Sequence, residues 1–258
     1  MSLEVCVETL EQAEQAIQSG AGRIELCSVL SVGGVTPSIS LIRAVRRWQP
    51  TPLVVLIRPR AGDFVFSARE EAFMIDDARA AIDEGADFVA VGALDHSGRM
   101  RRDWLESLCG VIPAQQLVFH RAFDETVAAS EAVETLVDFG FARVLTNGGN
   151  FGLPNFANPS ATASNSDRRR IAVEPGDAAE DRIDQLRALV EFAGGRIEVL
   201  PAGGIHGHNA KKILDQTGAN QLHGSFRQKQ IATLGRWAQD APNPLDRQAI
   251  ASVSELFR

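Results

Sequence analysis

Tyrosine is absent from the 258 residues, and lysine is confined to Lys211, Lys212 and Lys229. Lys211 and Lys212 fall in a helical pattern and Lys229 in the C-terminal region, so no lysine is placed to project from a strand as a Schiff-base nucleophile. This argues against a lysine-dependent aldolase mechanism. Cysteine is scarce as well. Cys6, Cys27 and Cys109 are too few and too far apart for a disulfide framework, and they suit free thiols in a reducing, cytoplasmic compartment. No uninterrupted apolar run approaches the roughly 18 residues of a membrane span, and Glu4 and Glu8 interrupt the hydrophobic start. There is no excess of basic charge either: the formal net charge of -7 argues against a nucleic-acid partner and leaves a small molecule or a metal as the expected ligand.

What is present is a repeated punctuation. In "SGAGRIELC" (19–27), "EGADFVAVGAL" (84–94), "FGFARVLTNGG" (139–149), "GGRIEVLPAGG" (194–204) and "TGANQLHGS" (217–225), a glycine suited to a helix end is followed by a short aliphatic strand. Strands are expected at about 3–7, 23–27, 53–58, 87–92, 116–120, 142–147, 196–201 and 220–224. Apolar residues at helical spacing fill the gaps, as in Leu10, Ala13 and Ile17 or Met74, Ala78 and Ile82. Thr9 with Gln12 and Ser67 with Glu70 resemble capping boxes, and "TPS" at 36–38 offers a proline at a helix start.

Eight strands alternating with helices fit a single-domain TIM (β/α)8 barrel. An open sheet is disfavoured because polar residues recur at alternate strand positions. The barrel is expected over residues 1–230, with a long flexible loop at about 150–178 that includes the charge run Arg168, Arg169 and Arg170. Residues 231–258 are expected to form a helical extension, packed on the barrel or at a subunit contact of a homo-oligomer.

Strand phase assigns direction. With Leu3, Val5 and Val7 turned towards the helices, Glu4, Cys6 and Glu8 face the lumen, and by the same rule so do Glu25 and Cys27. His120, Glu198 and His223 share that parity, and Arg58 ends the third strand. Ionised groups inside a packed lumen are unfavourable by several kcal/mol each unless paired or bound to a ligand. Cys6, Cys27, Arg58, His120, Asn147 and His223 all fall near the C-terminal strand ends, where barrels of this kind hold their sites. Gly203, Gly204, Gly224 and Ser225 follow the last two strands, a place suited to anion binding through backbone N–H groups.

The segments "LEVCVETLEQA", "GRIELCSVLSVGGVTPS", "IRPRAGDFVFS", "FHRAFDET", "RVLTNGG", "GGRIEVLPAGGI" and "LHGSF" together resemble the CutC family, named copper homeostasis proteins, over roughly residues 1–226. Val32, Ala61 and Ala202 depart from its usual pattern. The resemblance implies a TIM-type barrel, a cytosolic location and an association with copper tolerance. It also implies a copper site centred on Cys6 and Cys27, a pair of soft thiolate ligands suited to Cu(I). The expected function is therefore copper homeostasis through Cu(I) binding or buffering. The alternative is an enzyme working by acid-base or divalent-metal chemistry on a small substrate, a phosphorylated one among the candidates. In that alternative Glu25 or His120 acts as base, Arg58 and Arg60 clamp an anion, and Asn147, Gly203, Gly204, His223, Gly224 and Ser225 line the ligand site.

Overall fold

The computed structural model describes residues 2–149, 151, 179–228 and 243–258. Apart from Phe151, the loop expected at 150–178 lies outside the described residues, as do residues 229–242 of the C-terminal region. Eight parallel strands run in the order β7-β6-β5-β4-β3-β2-β1-β8. They are β1 (Ser2–Val7), β2 (Arg23–Leu26), β3 (Leu53–Leu56), β4 (Phe88–Val91), β5 (Leu117–Phe119), β6 (Arg143–Thr146), β7 (Glu198–Pro201) and β8 (Gln221–Gly224). Among the described residues a helix follows each strand: α1 (Leu10–Gln18), α2 (Ile39–Trp48), α3 (Ala68–Asp83), α4 (Arg102–Cys109), α5 (Ala129–Phe139), α6 (Ile183–Ala193), α7 (Ala210–Thr217) and α8 (Arg247–Ser254). Sequence-adjacent strands pair in parallel from β1 to β7, and β8 returns to β1, which curls the sheet into a near-closed (β/α)8 barrel of one domain. The β7–β8 seam is crossed by a side-chain bond, Gln221 Nε2 donating to Glu198 at 2.9 Å.

Local chemistry sets the element ends. Ser67 and Glu70 form a complete capping box at the start of α3. At α1, Thr9 accepts from the Gln12 N–H, but the Gln12 side chain accepts from the N–H of Glu8 and not from that of Thr9. Pro37 lies one residue before the Ser38 cap of α2, outside the first turn. Strand β3 stops short of residue 58 because the Arg58 N–H turns to Thr36 Oγ1 at 2.9 Å and Pro59 has no N–H to offer. Gly140 and Gly218 close α5 and α7 in the left-handed conformation, where a Cβ would be strained.

The apolar residues separate into two clusters, as strand alternation requires. Leu3, Val5, Val7, Ile24 and Leu26 join the larger one between sheet and helices. Cys6, Cys27, Val54, Leu56, Ala90, Val118, Leu145 and Leu200 form a smaller one inside the barrel. The lumen is thus largely apolar along β3–β5, while β1, β2 and β8 bring Glu4, Glu25, Arg23 and His223 into it and Arg143 and Glu198 enter it at the starts of β6 and β7. Helix α8 packs on α1 and β1 with Ile250 and Val253 buried, and Gln12 Nε2 donates to the Asn243 carbonyl at 2.8 Å.

Candidate functional site

The register of β1 with its neighbours builds the centre of the site. Cys6 lies opposite Glu25 on β2, and Glu4 lies between Arg23 on β2 and His223 on β8. Cys27 Sγ sits 3.5 Å from Cys6 Sγ, both thiols buried. The sulfur of Cys6, a carboxylate oxygen of Glu25 and a ring nitrogen of His223 all lie within 4.8 Å of one another, the arrangement of groups that could hold a metal ion among the described residues.

Below this centre a polar column runs down the barrel axis. Glu4 accepts from Arg23 in a short ion pair and from His223 Nδ1 at 2.7 Å. Burial alone would raise the Glu4 carboxyl, but Arg23 and then His223 hold it down at about 2. Glu4 is therefore ionised and can only accept, so His223 Nδ1 carries the proton and donates. The other ring nitrogen, Nε2, faces Glu25 at 3.7 Å. This carboxylate–imidazole pairing is the one that commonly orients a metal-ligating histidine. Arg23 also donates to Gln221 at 2.7 Å, and Gln221 links to Glu198, which ion-pairs with Arg143 at 2.8 Å. Glu198, expected to face inward, does so at the N-terminal mouth, half-exposed and far down the column from the thiols.

Titration follows from burial. The His223 imidazole is raised above its ordinary value: burial opposes its charge, but Glu25 and Glu4 outweigh that. Burial raises the Glu25 carboxyl, against the pull of His223. The bond to Cys27, followed by burial, pushes the Cys6 thiol well up, so without a metal it stays protonated.

Above the centre, a cavity of about 330 Å³ opens at the C-terminal end of the strands. Of the expected residues, Cys6, Glu25, Arg58, His120, Gly203, Gly204, His223, Gly224 and Ser225 line it. Cys27 lies behind Cys6, outside that lining. Arg60 is elsewhere, its guanidinium held by Glu70 at 2.6 Å, Asp63 at 3.1 Å and the Val65 carbonyl at 2.8 Å. Asn147 is fully buried and shapes the turn after β6, its Oδ1 accepting from the Gly149 N–H at 2.9 Å and its own N–H donating to Asp124.

The His120 ring is held on one side by the backbone. Its Nδ1 accepts the Ala122 N–H at 3.1 Å, so the proton resides on Nε2. Burial, with the nearby Arg58 charge, lowers the imidazole to about 3, and at neutral pH the free nitrogen is a neutral donor. Gly92 makes room for the ring: a Cβ there would come within 2.6 Å of His120 Cε1.

Sequence reasoning missed Phe64 and Arg227 in the lining, and Asp124 behind it. Phe64 packs on both Arg58, at 4.9 Å from guanidinium carbon to ring centroid, and His120, at 5.0 Å between centroids. Its only sequence signal is an aromatic residue in the segment after β3. Arg227 pairs with Glu8 at 3.3 Å across the junction of β1 and β8, a contact that no local pattern announces.

The description of the matching family model is "CutC family", over residues 1–157 and 170–228. The chain is 38% identical over 225 residues to the human copper homeostasis protein cutC homolog, covering 87% of this chain and 73% of that protein. It is 34% identical over 223 residues to the family protein CutC of Treponema denticola, covering 86% of this chain and 80% of the relative. The solved structure of a copper homeostasis protein CutC from Streptococcus agalactiae superposes with a TM-score of 0.73 at 30% identity, covering 87% of this chain and 99% of that one. Phosphoribosylanthranilate isomerase from Thermotoga maritima, at a TM-score of 0.53 and 12% identity, shares the barrel fold alone. With a barrel of this register and matches over most of its length, the chain belongs to the CutC family of copper homeostasis proteins.

Proposed function

We propose that the chain serves copper homeostasis by binding Cu(I) in the barrel lumen, with Cys6 and Cys27 as the thiolate pair and His223 or Glu25 completing the site. The observation that carries this reading is the 3.5 Å approach of two buried sulfurs beside an imidazole whose other nitrogen is fixed by a carboxylate. Thiolate is soft and selects Cu(I) over harder divalent ions. With metal–sulfur bonds of roughly 2.3 Å, as in zinc thiolates, sulfurs 3.5 Å apart subtend roughly 100° at a shared ion. A linear two-sulfur site would need them to part to about 4.6 Å on the same bond length. The pair as it stands therefore favours a third donor, and His223 Nε2 and the Glu25 carboxylate are the groups placed beside Cys6.

Anaerobic competition against a strong Cu(I) chelator tests the reading. Cys6→Ser and Cys27→Ser should each weaken binding by more than the roughly 10–100-fold typical of losing an outer-shell partner. Affinity unchanged in both variants would end the proposal. If Cys27→Ser leaves the affinity unchanged while Glu25→Gln and His223→Ala abolish it, the thiolate-pair assignment fails.

A further inference from the structure

Two buried donors in the cavity wall, one following β3 and one following β5, have no hydrogen-bond partner among the described residues. Arg58 is 5% exposed and His120 3% exposed. Arg58 Nη1 donates to the carbonyls of Val32 and Gly34, each at 3.0 Å, and Nη2 donates to the Gly62 carbonyl, but Nε has no partner among the described residues. His120 Nε2, which carries the ring proton, has none either. A buried donor left unmade is unfavourable by about 1–3 kcal/mol, and more when it belongs to a charged group.

Among the described residues no carboxylate neutralises the Arg58 charge: its partners are carbonyl dipoles and the face of Phe64, and Glu125 and Asp63 act on it only from longer range. The other two cations of the cavity differ, Arg121 being paired with Asp124 at 2.8 Å and Arg227 with Glu8 at 3.3 Å. A desolvated guanidinium without a counter-ion, beside a neutral imidazole N–H, is the donor set of an oxyanion site. The cavity, at about 330 Å³, has the size of a small-molecule site.

We propose that the Arg58–His120 wall is a subsite for the oxyanion of a small metabolite, a carboxylate or a phosphate, bound by the Arg58 guanidinium and the His120 Nε2–H. Phe64 packs against both groups, is only partly buried and lines the same cavity, so it borders the subsite. Neither Arg58 nor His120 belongs to the proposed copper ligands, so the subsite stands or falls independently of Cu(I) binding.

The test titrates the full chain, without metal, with inorganic phosphate in one arm and malonate in the other. Long-range ¹H–¹⁵N spectra read the imidazoles, with the His120 signals assigned from His120→Phe. One of the anions is expected to move the His120 Nε2–H resonance, and the arm that does so identifies the class. Read by isothermal titration calorimetry, Arg58→Lys, which keeps charge but loses the Nε donor and the planar fork, should weaken that binding roughly tenfold or more, as should His120→Phe. Lys211→Gln, which removes an exposed cation outside the cavity lining, should leave it unchanged. Binding that is indifferent to Arg58→Lys and His120→Phe overturns the proposal. So does a wild-type His120 resonance that moves with neither anion, a readout that holds even if a variant fails to fold.

Discussion

Glu4→Gln isolates the polar column beneath the thiols. In the native fold the carboxylate accepts from Arg23 and from His223 with almost no exposure to water. A carboxyl held at about 2 in place of 4.5 favours its ionised form in the fold by roughly 3 kcal/mol. Removing one partner of a buried ion pair gives a similar figure, about 3–5 kcal/mol, because the other charge stays buried and unpaired. Glutamine retains one acceptor oxygen for Arg23, so the expected loss is about 3 kcal/mol at pH 7. For a chain of this size that lowers Tm by roughly 6–12 °C.

The pH dependence carries the signature. Because the folded carboxyl is depressed, its contribution is fully present above pH 4.5 and disappears as pH falls through about 2. Urea unfolding of the native chain and the variant should therefore differ most at neutral pH and converge in strong acid. A loss below about 1 kcal/mol, or a difference that does not shrink on acidification, would refute the buried, ionised Glu4 on which the orientation of His223 rests.

Other perturbations test neighbouring parts of the structure. The His120 imidazole is depressed from 6.5 to about 3, so its contribution is present above pH 6.5 and lost as pH falls towards 3; His120→Phe should flatten the slope of stability between pH 6.5 and 4.5 relative to the native chain. Gly92→Ala drives a methyl to within 2.7 Å of His120 Nδ1 and should lower stability by about 1–3 kcal/mol, read from thermal melts. Cu(I) affinity should climb with pH from 6 to 9 in chelator competition, because the Cys6 thiol is held well above its ordinary value and must release its proton to bind. Ser67→Ala removes the reciprocal cap of α3 and should reduce stability by about 1 kcal/mol in urea unfolding, with Cu(I) binding unchanged.

Much of this molecule is written in its periodicities. Alternation along β1 and β2 sends Leu3, Val5 and Ile24 to the helices and Cys6, Glu25 and Cys27 to the lumen, because side chains of a strand can only take opposite faces. The glycines that end helices and the Ser67–Glu70 box punctuate the repeat, so element order and barrel closure are legible without coordinates. Residue chemistry also marks the site region, since buried acids and thiols need partners.

Partnership is what the sequence leaves open. Arg58 and Arg60 are two residues apart, yet one guanidinium is buried against backbone carbonyls at the cavity wall and the other is held outside by Glu70. Nothing local announces that the Ala122 N–H occupies His120 Nδ1 or that burial lowers that imidazole to about 3. Glu4 meets His223 across 219 residues of chain, a contact created by closing β8 onto β1. Local pattern fixes which way a side chain points, because backbone geometry is local. Only the closed barrel decides which charge meets which donor, because desolvation and pairing depend on everything that fills the same enclosed space.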